Sequence, residues 1–321
     1  MLKLIVVPLD GSGFGEQAIP TAIRLAERER AEVELVHVHE TLPPYLVQGA
    51  SPLDPRLDED LSKERGSYLH TIAEELRRST SASVRTPVLE GAATAAVLAE
   101  YIARRQADLV VMATHGHGGL SRLWLGSVSS ELVRHSSAPV LLIRPTEGGS
   151  RTQPAPPFQR VLIPLDGSPA SEEAIDHAMA VAAEPDVEFL LLHVIIPIGY
   201  IAEPADVAFV HERELEAAAA TYLGEVADRI RARGYPADIR VLNQPQPVRA
   251  ILECADESGA ELIAMETHGR SGVTRLVMGS VADKVVRASR LPVLLHQPRV
   301  GTAPLVTPPA GEQRASGPAR S

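Results

Sequence analysis

The chain states one pattern twice. Residues 3–12 read KLIVVPLDGS, and residues 160–168 read RVLIPLDGS. The stretch 109–145, LVVMATHGHGGLSRLWLGSVSSELVRHSSAPVLLIRP, returns as 262–298, LIAMETHGRSGVTRLVMGSVADKVVRASRLPVLLHQP, with no gap and about half of its positions identical. Asp10 and Asp166 lie 156 residues apart, and Gly126 and Gly279 lie 153 apart, so each copy spans a whole domain rather than a solenoid unit. The expected organisation is a domain at 1–146, a linker at 147–158 rich in Gly, Pro, Ser and Thr, a second domain at 159–298 and a disordered tail at 299–321.

Composition removes several classes of function. A net charge of −10 and 3% aromatic residues supply neither the basic footprint nor the stacking platforms of a nucleic-acid binder. There is no apolar run long enough for a transmembrane helix, and the chain enters a strand at once without a cleavable leader, so a cytoplasmic address is expected. A single cysteine, Cys254, permits no internal disulfide and no thiolate cage, and its place on the apolar face of a helix marks it as buried filler. With 45% hydrophobic residues, the chain can bury two ordinary cores.

Short apolar β-branched runs alternate with helical periods. Copy one reads as strands at 4–8, 33–39, 83–89, 109–113 and 140–143, with helices at 19–26, 61–78, 92–105 and 126–136. Copy two repeats the order, with strands at 160–164, 187–194, 238–242, 262–265 and 293–295 and helices at 171–183, 212–233, 248–258 and 281–288. Ser168 suits the N-cap of the first of these helices, and Pro169 its first turn. Such alternation predicts an α/β fold, a parallel sheet with helices on both faces, and ligands beyond the carboxyl ends of the strands. The Pro-rich segments 41–58 and 196–210 read as loops able to cover that edge, with Tyr45 or Tyr200 near a bound base.

Three elements converge on that edge. PLDGS places Pro8 and Asp10, and again Pro164 and Asp166, after the first strand of each copy. A glycine-rich loop carries Gly116 and Gly269, and a Gly-Ser pair opens the following helix, Gly126-Ser127 and Gly279-Ser280. Helix N-termini present unpaired N–H groups to anions, and Ser127 or Ser280 can cap the helix and donate to a phosphate. Asp10 suits ribose hydroxyls or a base amino group rather than phosphate. Singly, each element has a structural reading as a cap or a turn former. Together, and spaced alike in both copies, they indicate a nucleotide with its phosphates at Gly126 and its sugar near Asp10.

VPLDGS, THGxxGxxRLxxGSVxxxxVR and the closing PVLL resemble the universal stress protein family in a tandem two-domain form, over nearly the whole chain. The resemblance implies a five-stranded parallel sheet per domain, Rossmann-like and of the adenine-nucleotide alpha-hydrolase kind. It also implies ATP, with Mg on its phosphates, bound through a G-x2-G-x9-G-[S/T] motif. Carried over, the later motif glycines are Gly116 and Gly126 before Ser127, and Gly269 and Gly279 before Ser280. Val38 and Val194 would meet the adenine, while Met112 and Val128, with Met265 and Val281, flank the phosphate loop. The motif's first glycine is Ala113 in copy one and Glu266 in copy two. A carboxylate aimed at phosphates repels them, so the second copy is expected to bind ATP weakly or not at all. In single-domain relatives the last strand pairs across a dimer axis. Here Val140–Ile143 and Val293–Leu295 are expected to pair within one chain as a pseudo-dimer, with a homodimer through other surface as an alternative.

The implied function is a cytoplasmic, nucleotide-dependent binding or regulatory module of the stress response. A slow ATPase and a scaffold without nucleotide are the alternatives. No G-x4-G-K-[S/T] loop is present, lysine occurring only at Lys3, Lys63 and Lys284, and no general base accompanies the loops. No catalytic residue is assigned. Arg122 and Arg275 stand near the phosphates or on open surface. No metal site is expected: His115 and His117 lack a carboxylate or thiolate partner, and copy two carries Arg270 in place of His117. His37, His39, His193 and His268 are read as structural.

Overall fold

A computed structural model describes residues 1–40, 55–114, 125–182, 184, 186–197, 205–267 and 278–297. Copy one contains β1 (Leu4–Pro8), α1 (Ile19–Glu29), β2 (Glu32–His39), α2 (Pro55–Arg77), β3 (Ser83–Arg85), β4 (Val88–Glu90), α3 (Thr94–Arg105), β5 (Leu109–Ala113), α4 (Ser127–His135) and β6 (Val140–Ile143). Copy two contains β7 (Arg160–Pro164), α5 (Pro169–Ala182), β8 (Glu188–Ile195), α6 (Ala205–Arg231), β9 (Ala237–Asn243), α7 (Pro247–Ser258), β10 (Leu262–Glu266), α8 (Ser280–Ala288) and β11 (Val293–His296).

Three expectations shift. The strand expected over 83–89 is two short strands, both paired to β2, because Pro87 has no N–H to donate to a ladder. Helix α2 begins at Pro55, which fits a first helical turn, rather than at Leu61. Helix α6 begins at Ala205 rather than Glu212, since no Gly or Pro interrupts the run between Pro204 and Gly224. Parts of the segments read as covering loops are therefore helical, while 41–54 and 198–204, with Tyr45 and Tyr200, lie outside the described residues. So does the tail. At α5 the expected cap is present: Ser168 Oγ accepts from the Ser171 amide at 3.2 Å.

The strands form one continuous sheet, ordered β3-β2-β1-β5-β6-β11-β10-β7-β8-β9. Pairing is parallel within each copy. Between copies, β6 and β11 pair antiparallel, Val140 opposite Leu295, Leu141 opposite Leu294 and Leu142 opposite Val293. Leu141 and Leu294 are equivalent positions of the repeat, so a pseudo-twofold axis passes between them. The pairing removes two exposed strand edges, which would otherwise recruit another chain.

This join changes the core. One apolar layer covers each face of the joined sheet and runs through both copies. The first packs Ile5 and Val7 with α1, α2, α5 and α6 through Leu25, Ile72, Ile175 and Val226. The second packs Leu4 and Val6 with α3, α4, α7 and α8 through Ile102, Leu132, Cys254 and Val285. Alternate residues of each strand point to opposite faces, so fully apolar strands serve both layers. Cys254 is wholly buried, as expected.

Side chains also tie the copies together. The Arg144 guanidinium, after β6, donates to the carbonyls of Val286, Arg287 and Ser289 at the C-terminus of α8, the last at 2.7 Å. It supplies a positive charge where the helix dipole is negative. Between β6 and β7, Phe158 is buried beneath the Arg24 guanidinium, 5.0 Å from its ring centroid, and Arg151 pairs with Glu75 at 2.7 Å.

Candidate functional site

Strand β1 lies between β2 and β5: the chain runs outward from β1 to β2 and β3 and then crosses back to β5. In sheets of this kind ligands bind at such a reversal, beyond the carboxyl ends of the strands, here β1 and β5, and the same strand arrangement recurs at β7 and β10.

Pro8 and Pro164 end β1 and β7. The next residue is held to the neighbouring strand, Leu9 N–H to the Val36 carbonyl and Leu165 N–H to the Leu192 carbonyl, each at 2.8 Å. His37 on β2 is buried and donates from Nδ1 to the Leu9 carbonyl at 2.8 Å. Burial depresses its pKa, opposed by that hydrogen bond. The chain then turns through Gly11 at φ 83° and Gly167 at φ 82°, a left-handed conformation that favours glycine. Asp10 Oδ1 accepts from the Ser12 amide and hydroxyl at 3.0 and 2.6 Å, and Asp166 Oδ1 accepts from the same groups of Ser168 at 2.9 and 2.6 Å. Each aspartate thus shapes its own loop.

At the end of β5, Met112 and Ala113 are buried, and the Thr114 amide donates to the Ile143 carbonyl at 2.9 Å. The chain returns at Gly126, whose amide donates to the Thr114 carbonyl at 2.9 Å. Gly279 repeats the bond to Thr267 at 2.7 Å. The amide of Gly126 is therefore already engaged and does not itself face a ligand. The first helical bond runs from Ser130 to the Gly126 carbonyl, which leaves the amides of Ser127, Val128 and Ser129 without a partner among the described residues.

Gly126 and Gly279 are the N-caps, both at φ −56°, so a left-handed backbone is not their reason. Close approach is the reason at Gly126, where a Cβ would lie 3.3 Å from the Thr114 carbonyl oxygen. Ser127 and Ser280 occupy the first helical position, exposed, and do not cap the helix; the sequence expectation placed them one position too early. Val128 and Val281 are half-buried against the second layer with Val38, Val194, Met112 and Met265. Gly116, Gly269, His115, His117, His268, Arg270, Arg122 and Arg275 lie outside the described residues.

Glu266 departs from expectation. Its side chain is buried at the end of β10 and lies against β11 and α5, 3.2 Å from His296 Nδ1. Burial, reinforced by the charge of Glu173, pushes its carboxyl up to about 9. His177 of α5 stacks against His296 with ring centroids 4.1 Å apart, and burial beside that imidazole pushes it down to about 4. Glu266 is thus turned toward His296 within this cluster, a geometry that the expectation of a carboxylate aimed at phosphates did not include. The sequence analysis missed this cluster because its members come from three elements. Comparing the copies position by position shows it, since copy one carries Thr21, Ala113 and Ile143 at the same places.

Related proteins match this chain over most of its length. A universal stress protein of Mycolicibacterium smegmatis is 29% identical over 305 residues, covering 92% of this chain and 97% of its own length. One from Mycobacterium tuberculosis is 30% identical over 307 residues, covering 91% and 94%. The crystal structure of a universal stress protein from Archaeoglobus fulgidus superposes with a TM-score of 0.62 at 19% identity, over 92% of this chain and 96% of that one, and shows the same fold. The universal stress protein family matches residues 1–144 and again 157–296, so the chain belongs to that family, with two of its domains in tandem.

Proposed function

We propose that each copy binds an adenine nucleotide, ATP with its Mg, in the crevice between the first and fourth parallel strands, and that occupancy regulates what the protein binds in the cytoplasmic stress response. The observation that carries this reading is the start of α4. Three amides without partners among the described residues and the positive end of the helix dipole stand where the sheet order reverses, beside a glycine at which a Cβ would lie 3.3 Å from the Thr114 carbonyl oxygen. These groups suit a polyphosphate. Asp10, fixed by Ser12, suits the ribose, and the apolar wall of Val38 and Met112 suits the base.

Copy two offers the same helix start at Gly279, and Glu266 faces the other way, toward His296. The expected stoichiometry is therefore two nucleotides per chain. Because β6 and β11 pair across the copies, the test belongs on the intact chain. Calorimetric titration with ATP should give a stoichiometry near two. Ser127→Asp should remove one site and Ser280→Asp the other, since an acidic group at a helix start favours the helix but repels phosphate. Absence of binding at millimolar ATP would overturn the reading, and an unchanged affinity in both variants would move the phosphates elsewhere.

A further inference from the structure

The cluster at the end of β10 and β11 takes no part in the nucleotide reading. His177, Glu266 and His296 each offer one ligand atom, and these atoms lie within 4.8 Å of one another. His296 Nδ1 and Glu266 Oε2 are 3.2 Å apart, close to the ~3.3 Å that separates two ligands of a tetrahedral ion with bonds near 2.0–2.1 Å. The side chains of Glu266 and His296 are 1% and 9% exposed. Glu266 Oε1 is buried and has no hydrogen-bond partner among the described residues. A buried carboxyl oxygen left in that state is the kind of group a cation satisfies. Glu173 Oε2 stands 3.8 Å from His296 Nδ1 at the solvent edge, within reach of a fourth position.

The repeat supplies an internal comparison. At the three equivalent positions copy one has Thr21, Ala113 and Ile143, none of them a soft or charged ligand. Copy two replaces all three with imidazole or carboxylate, on three different elements, and the fold brings them to one point. Core packing alone gives no reason for three such changes together, since two place an ionisable group where copy one has Ala113 and Ile143 and the third replaces the Thr21 hydroxyl with an imidazole.

We propose that the second domain holds a divalent transition-metal ion of the zinc class, ligated by His177, Glu266 and His296, with Glu173 or water completing the shell. Two imidazoles and a carboxylate without thiolate suit zinc, cobalt and their neighbours over calcium or magnesium, which prefer all-oxygen shells. The ion's charge stabilises the ionised carboxylate that the apolar surroundings disfavour. Its position pins α5, β10 and β11 together, next to Thr267, whose carbonyl holds the amide of Gly279.

The test uses the full chain stripped of metal by a chelator, then titrated with zinc chloride by calorimetry and with cobalt chloride by visible absorption. The expected result is one ion per chain, tetrahedral cobalt bands and a zinc-dependent rise in melting temperature. His177→Gln, at a half-exposed position, should weaken affinity at least ~10-fold. The triple variant His177→Thr, Glu266→Ala, His296→Ile, which restores the residues of copy one, should fold and lose the ion. Failure of the wild-type chain to bind either metal would overturn the proposal. So would undiminished binding in both variants, which would place the metal on other residues. Neither result would bear on ATP binding, which is measured separately.

Discussion

The hydroxyl of Ser12 donates to Oδ1 of Asp10 at 2.6 Å, and Ser168 and Asp166 repeat the bond at 2.6 Å. The aspartate is thus a loop-shaping residue before it meets any ligand. If it also holds a sugar, Asp10→Ala removes more than Ser12→Ala does. Each variant should lose about 1 kcal/mol of stability in urea unfolding. Calorimetry should show Asp10→Ala weakening ATP binding by roughly 10-fold more than Ser12→Ala, the value of one further hydrogen bond to a charged group. Equal losses would leave Asp10 with the loop alone.

Gly126 and Gly13 make a matched pair. A Cβ at Gly126 meets the Thr114 carbonyl oxygen at 3.3 Å, whereas one at Gly13 meets nothing within 4 Å. Gly126→Ala should cost about 1 kcal/mol, through crowding and a poorer N-cap. Gly13→Ala should stay within ~0.5 kcal/mol of wild type. Urea midpoints at constant slope would check both.

Gln106 ends α3 in the left-handed conformation at φ 53°, while its equivalent, Gly259, ends α7 at φ 68°. Copy two has the residue type this backbone favours, and copy one does not. Gln106→Gly should therefore stabilise the chain by about 1 kcal/mol, the conformational strain relieved exceeding the entropy that glycine adds to the unfolded state. A raised melting temperature is the expected readout; a lowered one would mean the glutamine side chain contributes more than its strain costs.

His37 gives an acid-sensitive step. Burial lowers its pKa in the folded state below the ordinary 6.5. The unfolded chain then takes up a proton at this residue before the folded one does. Stability from this group is full above about pH 6.5 and is lost as pH falls toward the folded pKa. Unfolding measured at about pH 7.5 and about pH 5.5 should show a smaller difference for His37→Gln than for wild type. An identical slope in the two proteins would show that His37 does not set it.

Much of the fold was legible because its signals are local. Apolar runs such as LIVVP and LIAME must be strands buried on both faces, and the helix periods between them force parallel pairing. Helix starts after Pro were less legible: Pro55 and Pro204 lie in segments whose prolines suggested only loops. The strand broken at Pro87 was legible in principle, since proline cannot donate to a ladder. At the site, residue types were legible and roles were not. Ser127 looked like a cap, but the cap is the residue before it. Gly126 looked like the donor to phosphate, but its amide is taken by Thr114.

By itself the sequence determined two tandem α/β domains of one family and the strand ends where their chemistry gathers, because periodicity and repetition are written along the chain. Only the tertiary structure decided that the copies share one sheet and two common apolar layers, because edge pairing between Leu141 and Leu294 depends on how two folded edges meet. It alone also turned Glu266 from a supposed obstacle to phosphate into a neighbour of His177 and His296. Residues so distant in the chain acquire a common chemistry only when packing removes water between them and brings their polar atoms within bonding reach.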